Sequence, residues 1–256
     1  MVSAGFLDLP VRPAKPRNAG LSHMLDKGLS LAATEGVLRT AEAYVDIWKF
    51  GWGTAYLDPD LEPKLALLAD HDVKSCLGGT LLEVAWLQGK AKACLSWAAD
   101  VGFGLVEVSR GVAPMSLADK TELIEYAAAT FTVLSEVGSK DPRFRADPAS
   151  WSNEVASDLA AGAWKAVAEG RESGTVGLYD GNGDVRADVA DAIASTAGAA
   201  NILFETPQKD QQAWFIRTFG PDVNLANIAY DDLVGVEALR LGLRADTVTV
   251  PPPASR

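Results

Sequence analysis

The chain is poor in the residues that build disulfide frameworks, zinc sites and nucleic-acid-binding surfaces. Its 256 residues include two cysteines, Cys76 and Cys94, and two histidines, His23 and His71. Two cysteines are too few for a disulfide framework, and no metal-ligand spacing is present. Lysine and arginine number 23 against 34 aspartates and glutamates, a formal net charge of −11. We therefore expect no nucleic-acid partner, because phosphate backbones demand clustered basic residues.

Long apolar runs are also missing. No run approaches the roughly 18 residues expected of a membrane span. The apolar stretch over residues 6–9 is too short for a secretory signal and is followed by Pro10. The sequence therefore predicts a cytoplasmic protein with no membrane contact.

The length suits one large α/β domain. The chain has 256 residues, and a single α/β barrel needs about 250. Prolines mark both ends of the sequence. We expect an N-terminal arm over residues 1–20, either disordered or lying against the body of the fold. A barrel over residues 21–245 and a proline-rich tail over residues 246–256 would follow, and assembly into a homo-oligomer stays open.

Strand-like runs that end in a charged residue followed by Gly or Pro recur along the chain. The predicted strands lie within residues 22–28, 44–50, 73–77, 101–108, 132–137, 163–169, 201–205 and 223–228. Helical patterns alternate with them, including one helix from residue 80 to about residue 99. Ser30, Ser116 with Asp119 in a capping-box spacing, and Asp147-Pro148 are predicted to begin three of the helices. This alternation favours a single (β/α)8 TIM barrel over an open doubly wound sheet. No glycine-rich nucleotide-binding motif is present.

Four glutamates lie at the carboxyl ends of predicted strands: Glu107, Glu136, Glu169 and Glu205. In a barrel these ends converge on one mouth, where carboxylates repel one another unless a cation or a proton is present. A hard divalent ion such as Mg²⁺ suits oxygen ligands of this kind. Alternatively, some of the glutamates form structural ion pairs with Lys27, Lys49 or Arg171.

Lys49 is the first candidate for acid–base chemistry. Alternation along its strand places it on the face shared by Val45 and Ile47, which directs the ammonium into the barrel. Burial could lower its pKa enough for proton transfer. The alternative is a salt-bridged or snorkelling lysine. Lys27 and Lys140 lie near loops and are weaker candidates.

Two further motifs suit anions. Gly78-Gly79-Thr80 lies at a strand–helix junction, where backbone N–H groups can bind an anion. A Gly-Gly pair can equally be only a turn. Arg171 suits bidentate capture of a carboxylate or phosphate, although a salt bridge at the rim explains it as well. His23 and His71 belong to no recognisable constellation, so we interpret both as structural residues.

Several motifs, in order and spanning residues 26–244, together resemble the phosphosulfolactate synthase family. They include Asp26-Lys27-Gly28-Leu29-Ser30, Lys49-Phe50-Gly51-Trp52-Gly53-Thr54, Gly78-Gly79-Thr80-Leu81, Leu134-Ser135-Glu136-Val137-Gly138, Lys140-Asp141-Pro142, Arg171-Glu172-Ser173-Gly174, Pro207-Gln208-Lys209 and Asn224-Leu225-Ala226-Asn227-Ile228. The resemblance implies a (β/α)8 barrel that adds sulfite to phosphoenolpyruvate with Mg²⁺, giving (2R)-phospho-3-sulfolactate. That reaction is a first step towards coenzyme M, and its substrates are small anions.

The resemblance also suggests roles for the residues. The expected catalytic residues are Lys49 as the acid, with Lys27, Lys140 and Glu169. The expected metal ligands are Glu107, Glu136 and Glu205. The expected substrate contacts are Gly78, Gly79, Thr80, Arg110, Arg171, Gln208 and Asn227.

Two positions depart from the family pattern. The family usually has Asp or Asn at the position of Arg110, and Ala at the position of Gly170. Arg110 could bind a second anion, pair with Glu107 or Glu136, or turn outward to a neighbouring loop. Three hypotheses stay open: the sulfite enzyme, a barrel enzyme that adds another nucleophile to phosphoenolpyruvate, and a non-catalytic stress-associated relative.

Overall fold

A computed structural model of the chain describes residues 6–139 and 147–248 and confirms the single (β/α)8 barrel. Eight parallel strands close in sequence order, so β8 pairs with both β7 and β1. The strands are β1 (Ser22–Asp26), β2 (Ile47–Phe50), β3 (Lys74–Leu77), β4 (Leu105–Val108), β5 (Thr132–Val137), β6 (Lys165–Ala168), β7 (Ile202–Glu205) and β8 (Asn224–Ile228).

Ten α-helices lie among the described residues and connect the strands. They are α1 (Leu31–Ala41), α2 (Thr54–Leu57), α3 (Leu61–Asp70), α4 (Gly79–Leu87), α5 (Ala91–Val101), α6 (Leu117–Ala128), α7 (Pro148–Ala160), α8 (Ala187–Ala197), α9 (Lys209–Phe219) and α10 (Leu233–Arg240). Side chains that accept backbone N–H bonds begin three of them, at Ser30, Ser116 and Asp147. The predicted capping box of Ser116 and Asp119 is confirmed.

Alternation along the strands gives the barrel an apolar floor beneath a charged mouth. The inward apolar residues are Leu21, Ile47, Cys76, Leu105, Leu134, Val167, Leu203 and Ala226. Two residues further along five of these strands, the next inward side chain is charged. Those charged residues are Lys49, Glu107, Glu136, Glu169 and Glu205, and each is buried. The strand pattern therefore gathers four carboxylates and one ammonium at one level of the barrel.

The described part of the N-terminal arm lies against the base of the barrel. Arg12 bonds to Glu237 and to the carbonyl oxygen of Gly20, and it also pairs with Asp222. The guanidinium of Arg17 is buried and donates to Asp46 Oδ1 at 2.9 Å. Residues 12–20 therefore cover the end of the barrel opposite the charged mouth.

The structure corrects several predicted boundaries. The single helix predicted over residues 80–99 is two helices, α4 and α5, separated by Gly89 in the left-handed region with φ 68°. Helix α5 continues through Val101, and β4 occupies Leu105–Val108 within the stretch predicted to contain it. A short helix, α2, precedes α3 and was not predicted. Val45 lies before β2 and packs in the outer layer rather than beside Ile47.

Within the described residues, no helix is both long and apolar enough to cross a membrane.

Candidate active site

A cavity opens at the carboxyl ends of the strands, which is the mouth that barrel enzymes use. Its empty space, counted together with the open solvent at its mouth, is about 370 Å³. Its lining residues are Leu25, Lys49, Gly51, Trp52, Gly78, Gly79, Thr80, Glu107, Glu136, Glu169, Arg171, Glu172, Glu205 and Asn227. The cavity thus brings together most of the residues that the sequence singled out.

Lys49 lies at the centre of the carboxylates. Its Nζ is 2.9 Å from Glu107 Oε2, 3.4 Å from Glu205 Oε1 and 3.7 Å from Glu136 Oε2. Lys49 is therefore salt-bridged, as the alternative interpretation of the sequence held. It also means that the three glutamates predicted as metal ligands surround an ammonium group.

The charges of this cluster set each other's pKa values. Burial lowers the pKa of Lys49, but Glu107, Glu205 and Glu136 outweigh it and raise that pKa well above 10.5. The expectation that burial would lower the Lys49 pKa was therefore wrong, because it omitted the carboxylates. Burial raises the pKa of Glu107 from 4.5 to about 7, against the opposing effect of Lys49. Glu107 therefore titrates near neutrality.

Backbone N–H groups at the mouth hold three of the glutamates, and one of these bonds runs from the N–H of Arg171 to Glu169 Oε1 at 2.7 Å. The N–H of Gly79 donates to Glu107 Oε1 at 3.1 Å, at the N-terminus of α4. The N–H groups of Gly170 and Arg171 donate to Glu205 Oε2 at 2.9 and 3.0 Å. The Gly79 amide predicted to bind a substrate anion therefore binds an anion of the protein itself.

The two glycines of the Gly78-Gly79 motif are required by close packing. A Cβ atom on Gly78 would lie 2.6 Å from the carbonyl oxygen of Phe50, and one on Gly79 would lie 2.3 Å from Ser109 Oγ. Any larger residue would push β2 or the loop after β4 out of place. The motif is thus a packing requirement as well as a backbone donor, and Thr80 beside it lines the cavity.

Left-handed backbone conformations cluster at this cavity. Of the described non-glycine residues, four have positive φ, and three of these, Trp52, Arg171 and Asn227, line the cavity. Such conformations are costly and persist where the surrounding structure fixes them, often at functional sites. Their shared position marks this mouth as the built site of the barrel.

Two of the predicted cations lie at the rim. The exposed Lys27 places its Nζ 5.3 Å from the centre of the Trp52 ring. The Arg171 side chain is 41% exposed, and its Nε lies 3.8 Å from Glu172 Oε2. Both cations are thus at the opening of the cavity rather than at its floor. Lys140, the third predicted lysine, lies outside the described residues.

Arg110 points away from the cavity. Its Nε and Nη2 donate to Glu154 Oε1 and Oε2 at 3.0 and 2.6 Å. Glu154 belongs to α7 and also accepts from the buried Lys120, whose Nζ donates to the carbonyl oxygen of Glu136 at 2.8 Å. Of the three roles considered for Arg110, the geometry matches the outward ion pair, with a partner that the sequence did not indicate.

Gln208 does not line the cavity either. It is exposed, and its Nε2 donates to the carbonyl oxygen of Ser173 at 2.6 Å. Gln211 on the same helix donates to the carbonyl oxygens of Gly174 and Gly183. These amides hold the loop between β6 and α8, which carries Arg171, so Gln208 supports the mouth from outside.

One residue of the barrel interior was missed. His23 is fully buried on β1, and it follows the inward Leu21 by two residues. Its Nδ1 accepts the N–H of Asn227 at 3.4 Å. Strand alternation from Leu21 would have placed His23 inside the barrel, but no motif connected it with a residue near the end of the chain.

The donor set of the cavity suits Mg²⁺ only in part. Among residues 6–139 and 147–248, no group of three or more His, Cys, Asp or Glu side chains is arranged as a metal site. Both oxygens of Glu107 and of Glu205 lie against Lys49 or backbone N–H groups. Glu136 and Glu169 bring two more carboxylates to the same wall. One oxygen of each is also engaged, since Glu136 Oε2 lies 3.7 Å from Lys49 Nζ and Glu169 Oε1 accepts the N–H of Arg171. Mg²⁺ commonly uses one or two carboxylates plus substrate oxygens, so this pair at the ends of the adjacent strands β5 and β6 is enough to fit the ion.

Comparison with known proteins gives the family. Residues 10–246 match the family described as (2R)-phospho-3-sulfolactate synthase (ComA). The phosphosulfolactate synthase of Bacillus subtilis is 42% identical over 244 residues, which cover 94% of this chain and 97% of that protein. The phosphosulfolactate synthase of Methanothermobacter thermautotrophicus is 40% identical over 245 residues, which cover 93% of this chain and 95% of that protein.

A solved structure supports the fold. The 3-keto-L-gulonate-6-phosphate decarboxylase of Vibrio cholerae superposes with a TM-score of 0.54 at 12% identity, covering 91% of this chain and 98% of that one. At this identity the similarity concerns the barrel alone. The match over residues 10–246 and the identities of 40% and above show that this chain belongs to the (2R)-phospho-3-sulfolactate synthase family of enzymes.

Proposed function

We propose that this enzyme adds sulfite to phosphoenolpyruvate and releases (2R)-phospho-3-sulfolactate. The observation that carries the proposal is the family match over residues 10–246, which includes every residue lining the cavity. The family's product name gives the reaction type, and the two substrates follow from the product's atoms. A carbon–sulfur bond forms at the methylene carbon, and a proton is added at the carbon that bears the phosphate.

The charge of the cavity argues for a bound cation. Five glutamates and two cationic side chains, Lys49 and Arg171, line it. Phosphoenolpyruvate and sulfite are both anions, so this wall would repel them without added positive charge. We propose Mg²⁺, held by Glu136 and Glu169. When bound, the ion would stabilise the negative charge that develops on the substrate carboxylate.

Lys49 remains our proposed proton donor. Its Nζ lines the cavity and is held charged by Glu107, Glu205 and Glu136. The carbon next to a doubly charged carboxylate is a far stronger base than an amine, so a lysine with a raised pKa can still protonate it. Glu107 lies within hydrogen-bond distance and titrates near neutrality, which suits it to return a proton to Lys49.

The cations at the rim suit the other ends of the substrates. Arg171 is permanently charged and half-exposed at the opening, where it can bind a phosphate or sulfite oxygen. Lys27 adds a second positive charge beside Trp52. We keep the start of coenzyme M synthesis, in the cytoplasm, as the proposed setting of the reaction.

Phosphorus NMR tests the proposal. Purified protein with Mg²⁺, phosphoenolpyruvate and sulfite should convert the substrate resonance to that of a sulfonated phosphate ester. The reaction without sulfite is the control, and a Lys49→Met variant should form product far more slowly. If folded protein forms no product at millimolar sulfite, the enzyme adds a different nucleophile or none.

A further inference from the structure

The seam where the barrel closes contains an extra residue. Ser22 of β1 pairs with Leu225 of β8, and Met24 pairs with Ile228. Two steps along β1 therefore face three steps along β8, which is the pattern of a β-bulge. A bulge redirects a side chain at the cost of one ladder hydrogen bond. Asn227 lies within this bulge, between Leu225 and Ile228.

The bulge turns Asn227 towards the cavity. Its φ of 53° lies in the left-handed region, which asparagine tolerates better than most residues. The residue is 7% exposed and lines the cavity. Its backbone N–H points at His23 Nδ1 at 3.4 Å, so the imidazole supplies the acceptor for the displaced amide.

This contact fixes the protonation of His23. A ring nitrogen that accepts an N–H carries no proton, so the imidazole proton belongs on Nε2. Burial, and next the charge of Lys49, lower the pKa of His23 well below 6.5, while Glu136 acts in the opposite direction. The ring is therefore neutral with Nδ1 as its acceptor.

Two buried polar atoms at this seam have no hydrogen-bond partner among the described residues. They are Asn227 Oδ1 and His23 Nε2. Buried polar groups are nearly always hydrogen-bonded, and where a protein partner is missing a ligand or water supplies it. An amide oxygen only accepts, so its partner must bring a hydrogen.

We propose that Asn227 binds a hydrogen-bearing oxygen beside the substrate, either water or a hydroxyl group, and that His23 is the positioning residue that aims it. The proposal rests on the proposed function for the identity of the substrate. His23 touches no substrate in this scheme. It acts through the backbone of Asn227, across the seam between β1 and β8.

Kinetics of four variants test the relationship. Asn227→Gly keeps the left-handed backbone and removes the amide, so the KM for phosphoenolpyruvate should rise about tenfold, the effect of one ordinary hydrogen bond. His23→Phe should raise KM by a similar factor with little change in kcat. His23→Asn keeps an acceptor near the Nδ1 position and should restore most of the affinity. The double variant His23→Phe/Asn227→Gly should be no worse than Asn227→Gly alone.

The proposal would be overturned if the double variant raised KM by the product of the two single effects. It would also be overturned if Asn227→Gly left KM unchanged. If His23→Phe does not fold, Asn227→Gly and His23→Asn still decide it.

A nitrogen-15 spectrum of the histidine side chains adds a test that does not depend on turnover. The chain has two histidines, so a His71→Gln variant assigns the signals. We expect the Nε2–H form for His23, and the Nδ1–H form would contradict us. If the parent forms no sulfonated product, the proposed function fails while this spectrum still tests His23.

Discussion

The ammonium of Lys49 lies 2.9 Å from Oε2 of Glu107, inside the barrel and at the floor of the open cavity. Each residue determines the charge state of the other. Glu107 helps to keep Lys49 charged, and Lys49 limits the rise in the Glu107 pKa that burial causes. The remaining carboxylates, Glu136 and Glu205, bind the same ammonium, so a change at any of these residues affects the whole cluster.

Glu107 should make stability depend on pH. Its pKa in the folded chain is about 7, raised from 4.5. A raised pKa means that the folded state holds the proton more tightly than the unfolded state does. The stability that this tighter proton binding contributes is fully present below about pH 4.5 and is lost as pH rises through about 7. Relative to a Glu107→Gln variant, the parent's free energy of unfolding should fall by roughly 1–3 kcal/mol over that interval.

Urea denaturation at several pH values measures this dependence. Glu62→Gln, at an exposed position of α3, is the control and should follow the parent at every pH. Parallel curves for the parent and Glu107→Gln would mean that the pKa of Glu107 is the same in the folded and unfolded chains.

Removing the central cation should cost both stability and turnover. Lys49→Met leaves Glu107, Glu136 and Glu205 facing one another without the ammonium between them. We expect a loss of about 3–5 kcal/mol, typical of a broken buried ion pair. The rate should fall about 10²–10⁴-fold. The double variant Lys49→Met/Glu107→Gln should regain part of the stability, and a Lys49→Met protein as stable as the parent would contradict the cluster.

Magnesium binding should depend on Glu136 and Glu169. Chelation should stop product formation and added Mg²⁺ should restore it. Replacing either glutamate by glutamine should weaken Mg²⁺ binding at least about tenfold, the lower end of what even outer-sphere partners contribute. Calorimetric titration in the presence of phosphoenolpyruvate measures this affinity. Glu172→Gln, at the rim of the same cavity, is the matched control; equal effects of all three variants would indicate a general loss of charge.

Arg110 should affect stability more than catalysis. Arg110→Ala removes two hydrogen bonds to Glu154, which keeps its bond to Lys120. We expect a loss of about 1–3 kcal/mol in the free energy of unfolding and unchanged KM values. Thermal unfolding and steady-state kinetics check both, with Arg39→Ala on the exposed face of α1 as the control. A gain in sulfite activity from Arg110→Asp would instead make Arg110 a specificity residue.

The sequence predicted the barrel because the signals for its strands and helices lie within short stretches of the chain. Alternation of short strands with capped helices needs no knowledge of distant contacts, and Ser30, Ser116 and Asp147 begin their helices as expected. The turn at Gly89 was missed because helix-favouring residues such as Leu87, Gln88, Lys90 and Ala91 lie on both sides of it. A glycine in the left-handed region nevertheless ends α4 there.

Most residues that line the cavity were predicted, but their pairings were not. The identity of Lys49 and of the four glutamates followed from strand ends. Their mutual geometry did not, because Lys49 meets partners 58 and 156 residues away. The pKa of Lys49 was misjudged for that reason. His23 was missed because its partner, Asn227, is 204 residues away and is aimed by a bulge that no sequence motif marks.

The arginines at the base of the barrel have a practical consequence for engineering. Arg12 and Arg17 fasten residues 12–20 to the end opposite the cavity. A surface tether attached within residues 12–20 would therefore lie at the end opposite the cavity and leave the mouth open to substrate. Deleting the segment through Arg17 would leave Asp46 and Glu237 without their cations, so immobilised forms should retain it.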